Sequence, residues 1–159
     1  MFRILSKEKL SANIFSMVVE APRVAANAMP GQFLIVRVDE DGERIPLTIC
    51  DYDKEKGTVE IVFQPIGAET LRMSLLEAGD SFHDVVGPLG RPSELTEKDP
   101  EELKKMKIVY VAGGVGTAPV YPQLKWLKEH GVLADAIEGA KSKDIVIMED
   151  KMKSVAGNL

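Results

Sequence analysis

Three of the four residues from Gly113 to Gly116 are glycine, and they follow directly on the apolar run "KIVYVA" (Lys107 to Ala112). That run is β-branched and aromatic and too short for a helix, the pattern of a buried parallel strand. Beyond the glycines, Val120, Leu124 and Leu127 share one face of a helix expected from Ala118 to His130, with Gly131 as its left-handed cap. The glycines therefore occupy a strand-to-helix turn. Missing side chains there let backbone N–H groups and a helix N-terminus approach an anion.

The stretch "GVGTAP" matches the first two glycines of G-x-G-x-x-G, at Gly114 and Gly116, and carries Pro119 in the third place. Proline is tolerated in the first turn of a helix, where its missing N–H has no intrahelical partner to lose. No Gly-Lys-Ser/Thr follows, which excludes a Walker-type phosphate loop. Two readings remain at this level, a dinucleotide pyrophosphate site and a tight structural turn, and the strand context favours the first.

The rest of the chain divides by texture. Residues 1 to about 90 hold six short β-rich runs: "FRILSKEKLS", "IFSMVVEAP", "QFLIVRVDED", "RIPLTICDYD", "TVEIVFQPI" and "DSFHDVVGPLG". Asp-Gly within "DEDGER" and the polar "DYDKEKG" supply turns. One helix is expected among them, over about 67–77, where Leu71, Leu75 and Leu76 recur at helical spacing and Gly79 ends the segment. Such a series predicts a small closed or sandwiched β-domain. Residues 91–106 are polar, with two prolines, and read as a linker with a helical turn after Pro100. From 107 to 159 the pattern becomes βαβ, with a second strand in "VLADAIEGA" and a helix in "KDIVIMEDKMKSV", where Ile145, Met148, Met152 and Val155 form one stripe.

Composition narrows the function. The 159 residues carry a net charge of −5 and no basic cluster interleaved with aromatics, which argues against a nucleic-acid surface. No apolar stretch approaches the roughly 20 residues of a membrane span, and the N-terminus lacks a signal-peptide core. Cys50 is the single cysteine, so this chain holds no internal disulfide and no cysteine-ligated metal or iron–sulfur site. A cytoplasmic location and a reduced, packing role for Cys50 are expected. His83, expected within a strand, and His130, in the last turn of a helix, are read as surface or helix-end residues rather than catalysts.

In chain order, "PGQF" (30–33), "RIPLTI" (44–49), "GAET" (67–70), "GPLG" (87–90), "GGVGTAP" (113–119) and "GAKSKD" (139–144) resemble the ferredoxin–NADP reductase superfamily along the whole chain. Within it, the resemblance is to electron-transfer subunits of dihydroorotate dehydrogenase and to the small subunit of NADH-dependent ferredoxin–NADP oxidoreductase, also called sulfide dehydrogenase. The resemblance implies a six-stranded antiparallel FAD-binding barrel (1–90), the linker (91–106) and the first part of a parallel-sheet NAD(P)-binding α/β domain (107–159). It also implies that hydride passes from NAD(P)H to FAD and that electrons leave singly to an iron–sulfur partner, with no side-chain acid or base.

By the same resemblance, FAD contacts fall on Arg44, Pro46, Leu47, Thr48 and Ile49 of the flavin strand and on Gly67, Ala68, Glu69 and Thr70 of the phosphate turn. Thr48 matches the family's Ser/Thr beside the flavin N5, Leu47 replaces the usual aromatic cover, and Ile45 stands at the arginine position. Arg44 lies one residue early, on the opposite face of a regular strand unless a bulge at Pro46 re-aims it. NAD(P) contacts fall on Gly113, Gly114, Val115, Gly116, Thr117 and Pro119, and on Glu138, Lys141 and Ser142 beyond the second strand.

Glu138 lies 22 residues after Gly116, where an acid accepts ribose hydroxyls, whereas "KSK" (141–143) is suited to a 2′-phosphate. NAD(H) and NADP(H) both stay open, with NAD(H) favoured by the resemblance. The family's 2Fe–2S cluster belongs to a cysteine-rich C-terminal segment, so the chain is expected to be an N-terminal fragment. A larger oxidoreductase subunit or ferredoxin is the expected partner. The competing reading is a non-redox flavin- or nucleotide-binding assembly module whose flavin site has decayed, suggested by Ile45 and Leu47.

Overall fold

The computed structural model describes residues 1–159 and contains two sheets. The larger is formed by β1 (Phe2–Ser11), β2 (Ile14–Glu20), β3 (Phe33–Arg37), β4 (Ile45–Asp53), β5 (Thr58–Phe63), β6 (Ser81–Phe82) and β7 (Asp84–Leu89). Its order is β6-β1-β2-β5-β4-β3-β7, with every pairing antiparallel. The two edge strands are separated in sequence by His83 alone, so the chain itself joins the edges and the sheet is nearly closed. The expected six strands are thus seven, because the run "DSFHDVV" is cut at His83. There the chain leaves its pairing with β1 and takes up pairing with β3. His83 accordingly lies between strands, its N–H donating to the Arg37 carbonyl at 2.9 Å.

Val59, Ile61 and Phe63 point from β5 into the barrel core with Ile4, Met17, Leu34, Ile49 and Phe82. The helix α1 (Pro22–Asn27), which the sequence reading did not anticipate, starts on proline and closes one end of that core with Val24 and Ala25. The helix α2 (Ala68–Leu75) falls where expected but presents a different face. Met73 is fully buried and Glu69 nearly so, while Leu71 and Leu75 are exposed.

Residues 91–106 contain a 3-10 turn (Glu94–Glu97) and the short helix α3 (Pro100–Leu103), whose Asp99 cap accepts the Glu101 N–H at 2.9 Å. Leu103 is fully buried in a second core. That core lies beside the parallel pair β8 (Val109–Gly113) and β9 (Asp135–Gly139), with the helices α4 (Thr117–Glu129) and α5 (Glu149–Val155). Gly131 caps α4 at φ +75°, in the left-handed region. The helix expected in "KDIVIMEDKMKSV" (143–155) is shorter than its stripe suggested. A 3-10 turn (Lys143–Ile145) and a left-handed Met148 precede α5, and Ile147 rather than Ile145 is buried in the core. At the free edge of β9, Gly157 N–H donates to Ala134 and Ala136 N–H donates to Asn158, both at 2.8 Å.

The second core also takes in Ile14, Cys50 and Val62 from the barrel, so the two sheets share packed surface. Cys50 is buried there with its Sγ 3.9 Å from Met148 Sδ, and burial pushes its thiol pKa far up. No helix of the molecule is long and apolar enough to cross a membrane.

Candidate functional site

A cleft of about 380 Å³ lies between the barrel and the N-terminus of α4. One wall is Ile45 to Thr48 of β4, the floor is Val62 to Gln64, and Ile66 and Thr70 form the α2 side. The opposite wall is Val115, Gly116, Ala118 and Pro119 of the glycine turn. Residues 46–48, 70, 115, 116, 118 and 119, distant in sequence, thus meet at one opening. None of the lining side chains is ionisable.

The β4 wall has an open edge. Val36, Ile35, Leu34 and Phe33 of β3 pair with Ile45, Pro46, Leu47 and Thr48, whereas pairing with β5 begins only at Ile49. Over residues 45–48 one edge of the strand is therefore free, which is where proline is tolerated in a sheet. The register against β3 runs unbroken through Pro46, so no bulge there re-aims Arg44. Arg44 precedes the strand, is exposed and does not line the cleft. Ile49 is tied by its N–H to the Gln32 carbonyl at 3.1 Å and buries its side chain in the barrel core.

At the α2 end, the Thr70 hydroxyl is fully engaged. It accepts the N–H groups of Ile66 and Gly67 at 3.0 and 2.9 Å and donates to the Gly67 carbonyl at 3.0 Å. It shapes the turn instead of presenting a free hydroxyl, leaving the first N–H groups of α2, from Ala68 and Glu69, as the donors a helix start offers. The Glu69 carboxylate accepts from Arg72 at 2.8 Å, and its second oxygen is buried without a partner. Arg72 also binds Asp39, whose carboxyl it holds below the usual carboxylate range.

In the glycine turn, Gly114 has φ +55°, which only glycine adopts readily. Gly116 is different. Its φ of −65° and ψ of −9° suit any residue, and a Cβ there would meet no atom within 4 Å. Internal packing gives no reason for its missing side chain. Gly113 and Gly139 pair across the ends of β8 and β9, beside this turn. Thr117 opens α4 fully buried, and its hydroxyl donates to Glu138 at 3.3 Å. The other Glu138 oxygen is buried without a partner, and burial raises the carboxyl's pKa. Lys141 and Ser142 are exposed beyond the end of β9. The sequence reading assigned no contact to Ile45, Val62, Phe63, Gln64, Ile66 and Ala118, which also line the cleft. Residues 62–64 and 66 precede the "GAET" motif, but nothing in their pattern separates a cleft floor from a core strand.

No family model matches the chain. Among curated proteins it is 58% identical over 159 residues to an uncharacterized protein in the adh 3′ region of Clostridium beijerinckii, covering all of this chain and 54% of that protein. It is 40% identical over 153 residues to a Thermotoga maritima homologue of the electron transfer subunit of dihydroorotate dehydrogenase B (NAD(+)), covering 96% of this chain and 52% of that one. The chain spans about half the length of the curated relatives it matches. A solved NADH-dependent reduced ferredoxin–NADP oxidoreductase superposes with a TM-score of 0.88 at 37% identity, covering 100% of this chain and 55% of that one. The Plasmodium falciparum ferredoxin–NADP+ reductase shares the fold alone, with a TM-score of 0.77 at 12% identity. A nearly closed antiparallel barrel leading into a parallel strand and glycine turn, together with these likenesses, shows that the chain belongs to the ferredoxin–NADP reductase superfamily.

Proposed function

We propose that this chain is the flavin- and nucleotide-holding part of an NAD(P)H-dependent electron-transfer flavoprotein subunit. The observation that carries this reading is the single cleft shared by the open edge of β4, the start of α2 and the glycine turn. The residues present fit FAD. Pro46 to Thr48 line the cleft on a stretch of strand unpaired with β5, Thr48 adds a hydroxyl, and Leu47 adds apolar contact. The α2 N-terminus supplies N–H donors to phosphate. At Gly116, the absence of any internal contact leaves room for the pyrophosphate of a dinucleotide.

Bound FAD supplies a two-electron acceptor for hydride and a one-electron donor to the next centre. The chain's own residues bind and orient, and the cleft lining carries no side chain that exchanges protons. NAD(H) is the preferred nucleotide, since similar proteins are named for NAD(+) and NADH. The partner class is a larger oxidoreductase subunit or ferredoxin, with a 2Fe–2S cluster held outside these residues. The second reading, an assembly module with a decayed flavin site, is favoured by Arg44, which lies outside the cleft.

Purification of the intact protein separates the two, because a flavoprotein is yellow with absorbance near about 450 nm. The sharper experiment is Gly116→Val in that intact protein. A branched side chain at the phosphate position is expected to abolish flavin bleaching by NADH, while dithionite still bleaches the flavin and the melting temperature is kept. Normal melting with wild-type bleaching by NADH removes the glycine turn from the site.

A further inference from the structure

β4 passes from the cleft to the seam between barrel and α/β unit. Ile45 to Thr48 border the cleft, and Cys50 and Asp51 face α4 and α5. Between these halves the pairing with β5 shifts register at Ile49/Asp51. A bulge at that point turns two successive side chains the same way. Cys50 enters the second core, and the Asp51 carboxylate accepts from Lys125 Nζ of α4 at 2.6 Å. On the adjacent β5, Glu60 accepts from Lys151 Nζ of α5 at 2.5 Å and from the Ser16 hydroxyl at 2.7 Å. Both carboxylates belong to the barrel and both ammonium groups to the α/β unit. The two acidic side chains are mostly buried, at 23% and 12% exposure.

The placement of these pairs relative to the cleft matters. Asp51 is three residues beyond Thr48 on one strand, and Lys125 of α4 is nine residues beyond Gly116, the cap of that helix, a rise of roughly 13 Å. Each cleft wall is thus the far end of a stiff segment whose other end is ion-paired across the seam. The apolar contacts of Ile14, Cys50 and Val62 resist separation of the two units, but apolar contact is non-directional and tolerates sliding. Hydrogen-bonded ion pairs at two separate points fix the register.

We propose that Asp51–Lys125 and Glu60–Lys151 are positioning pairs that set the spacing between the flavin edge of β4 and the nucleotide turn. This rests on the reading of the cleft as the meeting place of FAD and NAD(P)H. Misplacement of reacting groups by about 1 Å from a distant mutation costs up to about 100-fold in rate. The pairs therefore act on the reaction without touching either cofactor.

The test uses the intact flavin-loaded protein with Lys125→Met, Lys151→Met and Lys125→Arg, each rate normalised to bound flavin. The two methionine variants are expected to keep flavin content, dithionite bleaching and NAD+ affinity within about twofold. Their flavin reduction at saturating NADH should fall about 10- to 100-fold. The flavin difference spectrum induced by NAD+, which reads nicotinamide against flavin without turnover, should shrink in parallel, and Lys125→Arg should restore both. A wild-type saturating rate and difference spectrum in the methionine variants overturns the proposal. A lower melting temperature with an unchanged rate per flavin does so too, because the pairs are then merely structural. Lys151 is the more exposed lysine, so Lys151→Met carries the test if Lys125→Met fails to fold. Failure of the underlying reading looks different: wild-type protein that holds flavin and is bleached by dithionite but by neither NADH nor NADPH.

Discussion

Glu138 shows what the fold adds to a residue whose type was legible. Its spacing from the glycine turn suggests a ribose acceptor, and in the fold one oxygen accepts from the buried Thr117 hydroxyl while the other is buried without a partner. Burial disfavours the charged form, so the folded-state pKa lies above the ordinary glutamate value of 4.5, although the Thr117 hydrogen bond opposes the shift. The sign follows from linkage. Between the unfolded and folded pKa values the native state binds more protons, so stability falls as pH rises through that window and is flat above it. Glu138→Gln keeps an acceptor for Thr117 and removes the charge. The variant is expected to melt above wild type at about pH 7, with the gap closing as pH falls well below the unfolded pKa, where the carboxyl is neutral in both states. Melting curves across that range check this. A pH-independent gap rules out ionisation of the carboxyl as its source.

The helix α2 carries two stripes at helical spacing, one of leucines (71 and 75) and one of Glu69, Met73 and Leu76. Periodicity locates a helix but does not choose between two faces that both satisfy it. The barrel chooses the second: Met73 is 0% exposed and Leu75 78%. On that mixed face Arg72 pairs with one Glu69 oxygen and with Asp39. Truncating Met73 to alanine is expected to cost about 2–5 kcal/mol in chemical denaturation. Leu75→Gln should stay within about 0.5 kcal/mol. Equal losses at the two positions would show that the leucine stripe is packed. The helix α1 was missed for a related reason, since six residues are too few to display a period.

At the scale of the molecule, the composition shift near residue 90 suggested separate units, whereas one core holds residues from both sides of it. Ile14, Cys50 and Val62 pack with Leu124, Leu127, Ile147 and Met152. Leu124→Ala, at a fully buried position of that shared core, should cost about 2–5 kcal/mol and lower one cooperative transition of the whole chain. Differential scanning calorimetry checks this. Two resolved transitions, with the barrel transition unmoved, would refute the coupling.

The sequence alone located the β-rich series, the strand–glycine–helix turn and the motifs whose order identified the superfamily, because strand alternation, helix caps and turn glycines act over a few neighbouring residues. Residues 46–48 and 70, named from the resemblance, and 115, 116 and 119, named at the glycine turn, were brought to one cleft by the tertiary structure alone. It alone also excluded Arg44 from that cleft, engaged the Thr70 hydroxyl in its own turn, cut the last barrel run at His83 and joined Asp51 to Lys125. Each of those outcomes depends on a partner far away in the chain. A one-residue change of strand register or a choice between two helix faces leaves the local pattern intact, so only long-range packing decides it.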